Sequence, residues 1–284
     1  MKVGESSVSS YQQFLSERRP AVAGMFYPDD PQQLQQMLSE WRPETDEEQR
    51  RYRAALVPHA GWVYSGHGAA NVWNRLVVPE TTIVLCPKHR PGGAPCAVAP
   101  WHRWCRPGGQ IEVDELWSRK LAEQGPHLTL DDRPHRSEHA VEVQLPLLAR
   151  ANPDSRLVAI TIGRLELSEC QELAAGLADQ LSGQLDDLLL VISSDMHHFA
   201  DDATNRELDQ LAIDALEQLD PLQLYEVCCT NRISMCGLFP AMIVLMALRQ
   251  LGSLKQARRV AYTTSAEASG DTSRVVGYAG MLFD

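Results

Sequence analysis

Three short polar stretches of this chain combine histidine with small or rigid turn residues: Pro58-His59-Ala60-Gly61, Cys86-Pro87-Lys88-His89 and Ser193-Ser194-Asp195-Met196-His197-His198. Neutral imidazole is the commonest protein ligand for transition metals and also moves protons near neutral pH, so the chemistry on offer is metal ligation or acid–base work. Taken singly, a histidine in a Gly/Pro turn most often caps backbone groups or lies in solvent. Their joint placement argues otherwise, because each stretch directly follows an apolar run that reads as a strand: Ala54–Val57, Thr82–Leu85 and Leu188–Ile192. The carboxyl ends of parallel strands share one edge of an open α/β sheet, and ligands bind in the crevice there. The histidines are therefore expected to meet in space. His197 and His198 are neighbours whose side chains point to opposite faces of an extended segment, so one of the two is expected to be structural.

Ser234-Met235-Cys236-Gly237 precedes an apolar run, which places Cys236 near a helix N-terminus, where unpaired N–H groups favour a metal-binding thiolate. The competing reading is a small buried hydrophobe, the commoner fate of a free cysteine. Glu138 and His139 open another helical stretch and are candidates for orienting a ligating histidine, since such rings usually hand their second N–H to a carboxylate or carbonyl; Glu142 reads more simply as capping. Seven cysteines without a C-x-x-C pair make a disulfide framework or zinc knuckle a poor fit. Cys228-Cys229 reads as inert, and Cys96, His102 and Cys105 read as loop residues. Gly66-His67-Gly68 lacks the spacing of a nucleotide-binding loop.

The elements that must position these residues alternate. Further strands are expected at Leu157–Ile162, Arg259–Thr263 and Val275–Leu282. Helices are expected at Pro31–Trp41, Gly68–Leu76, Leu116–Glu123, Val141–Ala151, Leu167–Leu181, Asn205–Leu219 and Phe239–Leu251, where apolar residues recur every three or four positions. This is the pattern of a sheet covered by helices on both faces. The breakers Arg90-Pro91-Gly92-Gly93 and Arg106-Pro107-Gly108-Gly109 bracket a stretch, Pro87 to Gln110, that reads as loop covering a site. With 284 residues, 26 Lys+Arg and 37 Asp+Glu, the formal charge is −11, which argues against nucleic-acid binding. The longest apolar run, Gly237 to Leu248, is about a dozen residues against the roughly 20 a bilayer span needs. The polar start, Met1 to Arg19, lacks a secretory pattern, so a cytoplasmic location is expected.

In order along the chain, Arg19-Pro20-Ala21-Val22-Ala23-Gly24-Met25-Phe26-Tyr27-Pro28, Leu56 through Gly66, Glu138-His139 to Gln144-Leu145-Pro146, Ser193-Ser194-Asp195 to His198, and Ser234-Met235-Cys236-Gly237 resemble the Memo family, whose microbial relatives are called AmmeMemoRadiSam system protein B. The resemblance implies a polar N-terminal segment, 1–18, before a single Memo-like domain, 19–284. Its implied fold is an α/β, three-layer αβα sandwich like that of class III extradiol, non-haem iron dioxygenases. By position it makes His59, His89 and Cys236 the metal trio, His198 with Asp195 the catalytic acid/base pair, and Glu138 and His139 the residues behind the ligands. Cys236 stands where those dioxygenases carry a carboxylate, and the softer sulfur shifts the implied metal from iron alone to iron or copper, with zinc a further candidate. Family members commonly carry a second histidine after the one matched by His89; here it is Arg90, which with Lys88 favours an anionic ligand. The implied function is metal-dependent redox or oxygenase-type activity on a small polar substrate. The alternative is a non-catalytic adaptor that binds a peptide or protein in the same cleft, and the family name implies a radical-SAM protein as partner.

Overall fold

A computed structural model describes residues 13–41 and 48–284; most of the polar N-terminal stretch, residues 1–12, lies outside the described residues. The first half of the chain forms β1 (Leu15–Arg18), α1 (Pro31–Glu40), β2 (Ala54–Val57), α2 (Trp62–Trp73), β3 (Thr81–Pro87), β4 (Cys96–Val98), β5 (Trp101–Arg106), β6 (Gly109–Glu112), α3 (Glu115–Gln124) and β7 (Leu128–Leu130). A 3₁₀ turn, Glu142–Gln144, leads into α4 (Leu145–Ala151), followed by β8 (Arg156–Ile162), α5 (Leu167–Leu181), β9 (Leu188–Ser193), β10 (His198–Ala200), α6 (Asp202–Glu217), α7 (Pro221–Thr230), α8 (Leu238–Gln250), β11 (Ala257–Thr264), α9 (Ala266–Ser269) and β12 (Val275–Phe283).

The main sheet has the order β10-β12-β2-β9-β3-β8-β4-β7, with β11 on β12. Its centre, β2-β9-β3-β8, is parallel and buried on both faces, so these strands read as unbroken apolar runs. Helix α8 packs on β3, β9 and α5, and α6 packs on β12; α2 packs on β2, β11 and β12. Positions 277 and 280 of β12 face opposite ways, the first against Asp209 of α6 and the second against Val72 of α2, so the two helices cover opposite faces. The result is a three-layer αβα sandwich in one domain. No helix among the described residues is long and apolar enough to cross a membrane.

Strand β2 matches its expected bounds, and the other expected strands shift by a residue or two at their ends. Three differences matter. Residues 87–110 are not loop: β4 joins the main sheet, while β5 and β6 form a small sheet with β1, so part of the N-terminal stretch belongs to the fold. The Gly/Pro pairs marked turns, and the strands between them are short, with Trp101 and Trp104 packed inward. Helix α2 begins at Trp62, six residues before Gly68, because the glycines inside it are packing devices: a Cβ on Gly66 would sit 2.4 Å from the Trp41 ring. Helix α7 was not expected; its signal was Asp220 capping the Leu222 and Gln223 N–H groups ahead of Pro221.

Candidate metal centre

Strands β2, β9 and β3 lie side by side and parallel, so their carboxyl ends deliver His59, Ser193–Asp195 and His89 to one edge. The segment before the 3₁₀ turn brings His139 to the same place. His59, His89 and His139 each offer a ring nitrogen, and these atoms lie within 4.8 Å of one another. The ring centroids of His59 and His89 are 5.2 Å apart, those of His59 and His139 5.3 Å, and those of His89 and His139 4.7 Å. Cys236, just before α8, places its sulfur 3.2 Å from His59 Nε2.

Hydrogen bonds fix which nitrogens are available. Ser193 Oγ donates its single proton to the Ala140 carbonyl at 2.7 Å, so at 2.9 Å from His59 Nδ1 it must accept. His59 therefore carries its proton on Nδ1 and a lone pair on Nε2, beside the Cys236 sulfur. Glu138 Oε1 accepts from His89 Nδ1 at 2.8 Å, leaving Nε2 of that ring free as well. The same oxygen lies 3.2 Å from His139 Nδ1, which is buried and has no hydrogen-bond partner among the described residues. Two imidazoles with outward lone pairs and a third with an orphaned nitrogen fit a transition ion better than a solvent-filled polar cluster.

Burial keeps His59 and His139 neutral. Desolvation, helped by the proximity of His89, lowers the His59 pKa to about 3, and desolvation with His59 nearby lowers that of His139 to about 4. Burial would raise Glu138, but the hydrogen bonds from His89 and the electrostatic pull of the His89 and His139 rings outweigh it and bring its pKa down to about 2. Cys236 departs from expectation: burial, then the Asp195 carboxyl, push its thiol far above the usual range, so without a metal it is a thiol and not a dipole-stabilised thiolate. It sits one residue ahead of the capping Gly237, outside the helix, where desolvation outweighs the dipole. The sulfur accepts from the Asp195 N–H at 3.1 Å.

Residues 18–282 match the family described as Memo-like protein. The chain belongs to the Memo family. It is 35% identical to a MEMO1 family protein of Aquifex aeolicus (strain VF5) over 94% of this chain and 98% of that one. It is 36% identical to one of Methanosarcina barkeri (strain Fusaro), covering 94% and 100%. A MEMO1 family protein of Sulfolobus acidocaldarius is 34% identical, covering 94% and 99%.

In this Memo-family chain the residues named for acid–base work stand beside the cluster and not in it. Asp195 Oδ1 accepts from the His59 N–H at 2.7 Å, and its Oδ2 lies 4.0 Å from His59 Nε2; burial raises its pKa. His198 donates from Nδ1 to the Ser234 carbonyl at 3.1 Å, which leaves Nε2 with a lone pair, and burial lowers its pKa against the pull of Asp195. His197 is the structural member of the pair: its N–H binds Asp209 at 2.7 Å and its ring accepts from the Ser234 N–H. Lys88 is turned away, donating to the Gly93 and Ala94 carbonyls, whereas Arg90 is exposed next to His89 and donates from Nε to Ser137 O.

Sequence reasoning put His139 behind the candidate ligands His59 and His89; its ring nitrogen lies within 4.8 Å of theirs. Its segment follows no strand, so no edge rule could find it. Glu142, read as a cap, is buried and accepts from Arg18, from the Ala21 and Val22 N–H groups and from Tyr27 OH. Arg18 also donates to the carbonyls of His135 and Glu138, so this network docks β1 onto the segment that carries His139.

Proposed function

We propose that this Memo-family protein is a mononuclear iron or copper protein with metal-dependent redox or oxygenase-type activity on a small polar substrate. The ion would be held by His59, His89 and His139 with the Cys236 sulfur alongside. The observation that carries the reading is the set of three imidazole nitrogens within 4.8 Å, two with tautomers fixed by Ser193 and Glu138. A bound ion supplies a redox-active Lewis acid there, and a soft sulfur among nitrogens suits copper(I) or a thiolate-ligated iron. The protein does the rest: Glu138 and Ser193 hold the rings, and His198, with its lone pair on Nε2 and Asp195 nearby, accepts and returns a substrate proton. Arg90, on the exposed side next to His89, suits an anionic group on that substrate. Metal analysis of purified wild-type, His59→Ala and His139→Ala proteins is the test. One ion per chain in the wild type and little in either variant is expected; equal content in all three removes the assignment.

A second reading, an adaptor that binds a peptide or partner protein such as a radical-SAM enzyme at this edge, draws on one observation. Val63 and Phe199 lie within a few residues of His59 and His198, and Met25 adjoins Phe26, whose ring centroid is 4.6 Å from that of His139; the three are exposed by 73%, 68% and 62% in the order Met25, Val63, Phe199. Exposed apolar side chains beside a cleft suit a contact surface. Partner capture that survives His89→Ala and Cys236→Ser would favour it over the enzyme.

A further inference from the structure

Away from the histidines, between α1, the β5–β6 turn and α4, lies a cavity of about 330 Å³ lined by Leu34, Leu38, Gln35, Pro146, Arg106 and Arg150, among others. Its charged lining residues are both arginines, with no carboxylate among the described residues that line it, in a chain whose formal charge is −11. Arg106 ends β5 and is half-buried. Its Nη1 donates to the carbonyl of the next residue, Pro107, at 3.1 Å, while Nε is buried with no acceptor among the described residues. Gly109 lets the guanidinium lie against the turn, since a Cβ there would be 3.1 Å from Nη2.

A guanidinium keeps its proton at any accessible pH, and a half-buried one with an unbonded Nε and no carboxylate beside it among the described lining residues is stabilised by a bound anion. Desolvation lowers its pKa, in keeping with the missing carboxylate. The planar fork of arginine matches the paired oxygens of phosphate or carboxylate. Leu34, Leu38 and Pro146 line the same cavity and give it an apolar wall that a bare inorganic ion would not use.

We infer that this cavity is a second ligand site, separate from the histidine cluster, for a small organic anion whose phosphate or carboxylate sits on Arg106 and whose apolar body rests on Leu34, Leu38 and Pro146. The inference does not depend on the metal reading. Calorimetric titration of phenyl phosphate, benzoate and inorganic phosphate at low ionic strength tests it on the purified full chain, on Arg106→Gln, on Arg106→Lys and on a His59→Ala/His89→Ala protein. Phenyl phosphate or benzoate is expected to bind at least tenfold more tightly than inorganic phosphate, and the tighter of the two names the headgroup. Arg106→Gln should weaken that binding at least tenfold, Arg106→Lys by less, and the histidine double variant not at all. Metal content of Arg106→Gln should equal that of the wild type. No binding by the wild type, equal affinity in Arg106→Gln, or loss of binding in the histidine double variant alone overturns the inference; if Arg106→Gln fails to fold, the Arg106→Lys comparison decides by the same criterion.

Discussion

Replacing Glu138 by glutamine probes the proposed metal site without touching a proposed ligand. The carboxylate is fully buried and accepts four hydrogen bonds: from the His89 ring and N–H, each at 2.8 Å, and from the His139 and Ala140 N–H groups at 3.0 and 3.1 Å. Its pKa falls from 4.5 to about 2 in the folded protein, and that fall corresponds to about 3 kcal/mol of preference for the ionised form. A carboxyl whose folded pKa is depressed contributes stability above pH 4.5 that disappears as the pH drops through about 2. Glu138→Gln should therefore cost about 3 kcal/mol at pH 7 and progressively less below pH 4. At about 2.1 cal/mol/K per residue the 284-residue chain unfolds with roughly 0.6 kcal/mol/K, so the melting temperature should drop by about 5 °C. Because the amide can offer only one acceptor oxygen and no charge, the His89 ring loses its anchor, and metal affinity should fall about 10- to 100-fold. Circular dichroism melts and competition with a chelator of known affinity measure the two effects separately. Unchanged metal affinity in a variant destabilised as expected would refute the claim that Glu138 sets the His89 tautomer for metal binding.

Other consequences are quicker to state. Glu142→Ala leaves Arg18, 2% exposed, without its partner at 2.6 Å, and should destabilise by about 3–5 kcal/mol; Arg18→Met/Glu142→Leu should recover only the part due to the unpaired guanidinium, since the Ala21 and Val22 N–H groups and the Tyr27 hydroxyl still lack their acceptor, and chemical denaturation showing the double variant as weak as the single would contradict it. His59, His139 and the buried His135, with pKa values of about 3, 4 and 4, must be protonated on unfolding below pH 6.5, so stability should fall as the pH drops from 6.5 toward 4. Three such rings give a slope of about 4 kcal/mol per pH unit at most, offset by about 1.4 from Asp209, whose pKa is raised to about 6 by burial. Urea midpoints equal at pH 7 and pH 5 would show that these rings are not held neutral.

Much of this was legible in the residues. The parallel centre of the sheet followed from apolar runs with no alternation, and the meeting of His59, His89 and the Asp195 loop followed from strands β2, β3 and β9 sharing an edge. The polar network that docks β1 was not legible, because nothing local in Arg18 or Glu142 reveals partners more than a hundred residues away. His139 was legible as a neighbour of the candidate ligands but not as one of the three clustered rings, since its segment follows no strand. The thiol state of Cys236 without a metal was not legible, because a helix-end rule carries no information about burial. Strands β4 to β6 were missed where turn residues crowd three short strands into a stretch that composition alone renders as loop.

The groups around the centre are scattered along the polypeptide, with His89 and Glu138 49 positions apart and His59 and Cys236 177 apart. No peptide fragment brings them together, so an ion has nothing to grip until the sheet is closed and both flanking layers are in place. A captured ion would thus behave as a latch on a finished building and never as its cornerstone, slowing disassembly while leaving the rate of assembly to the chain itself.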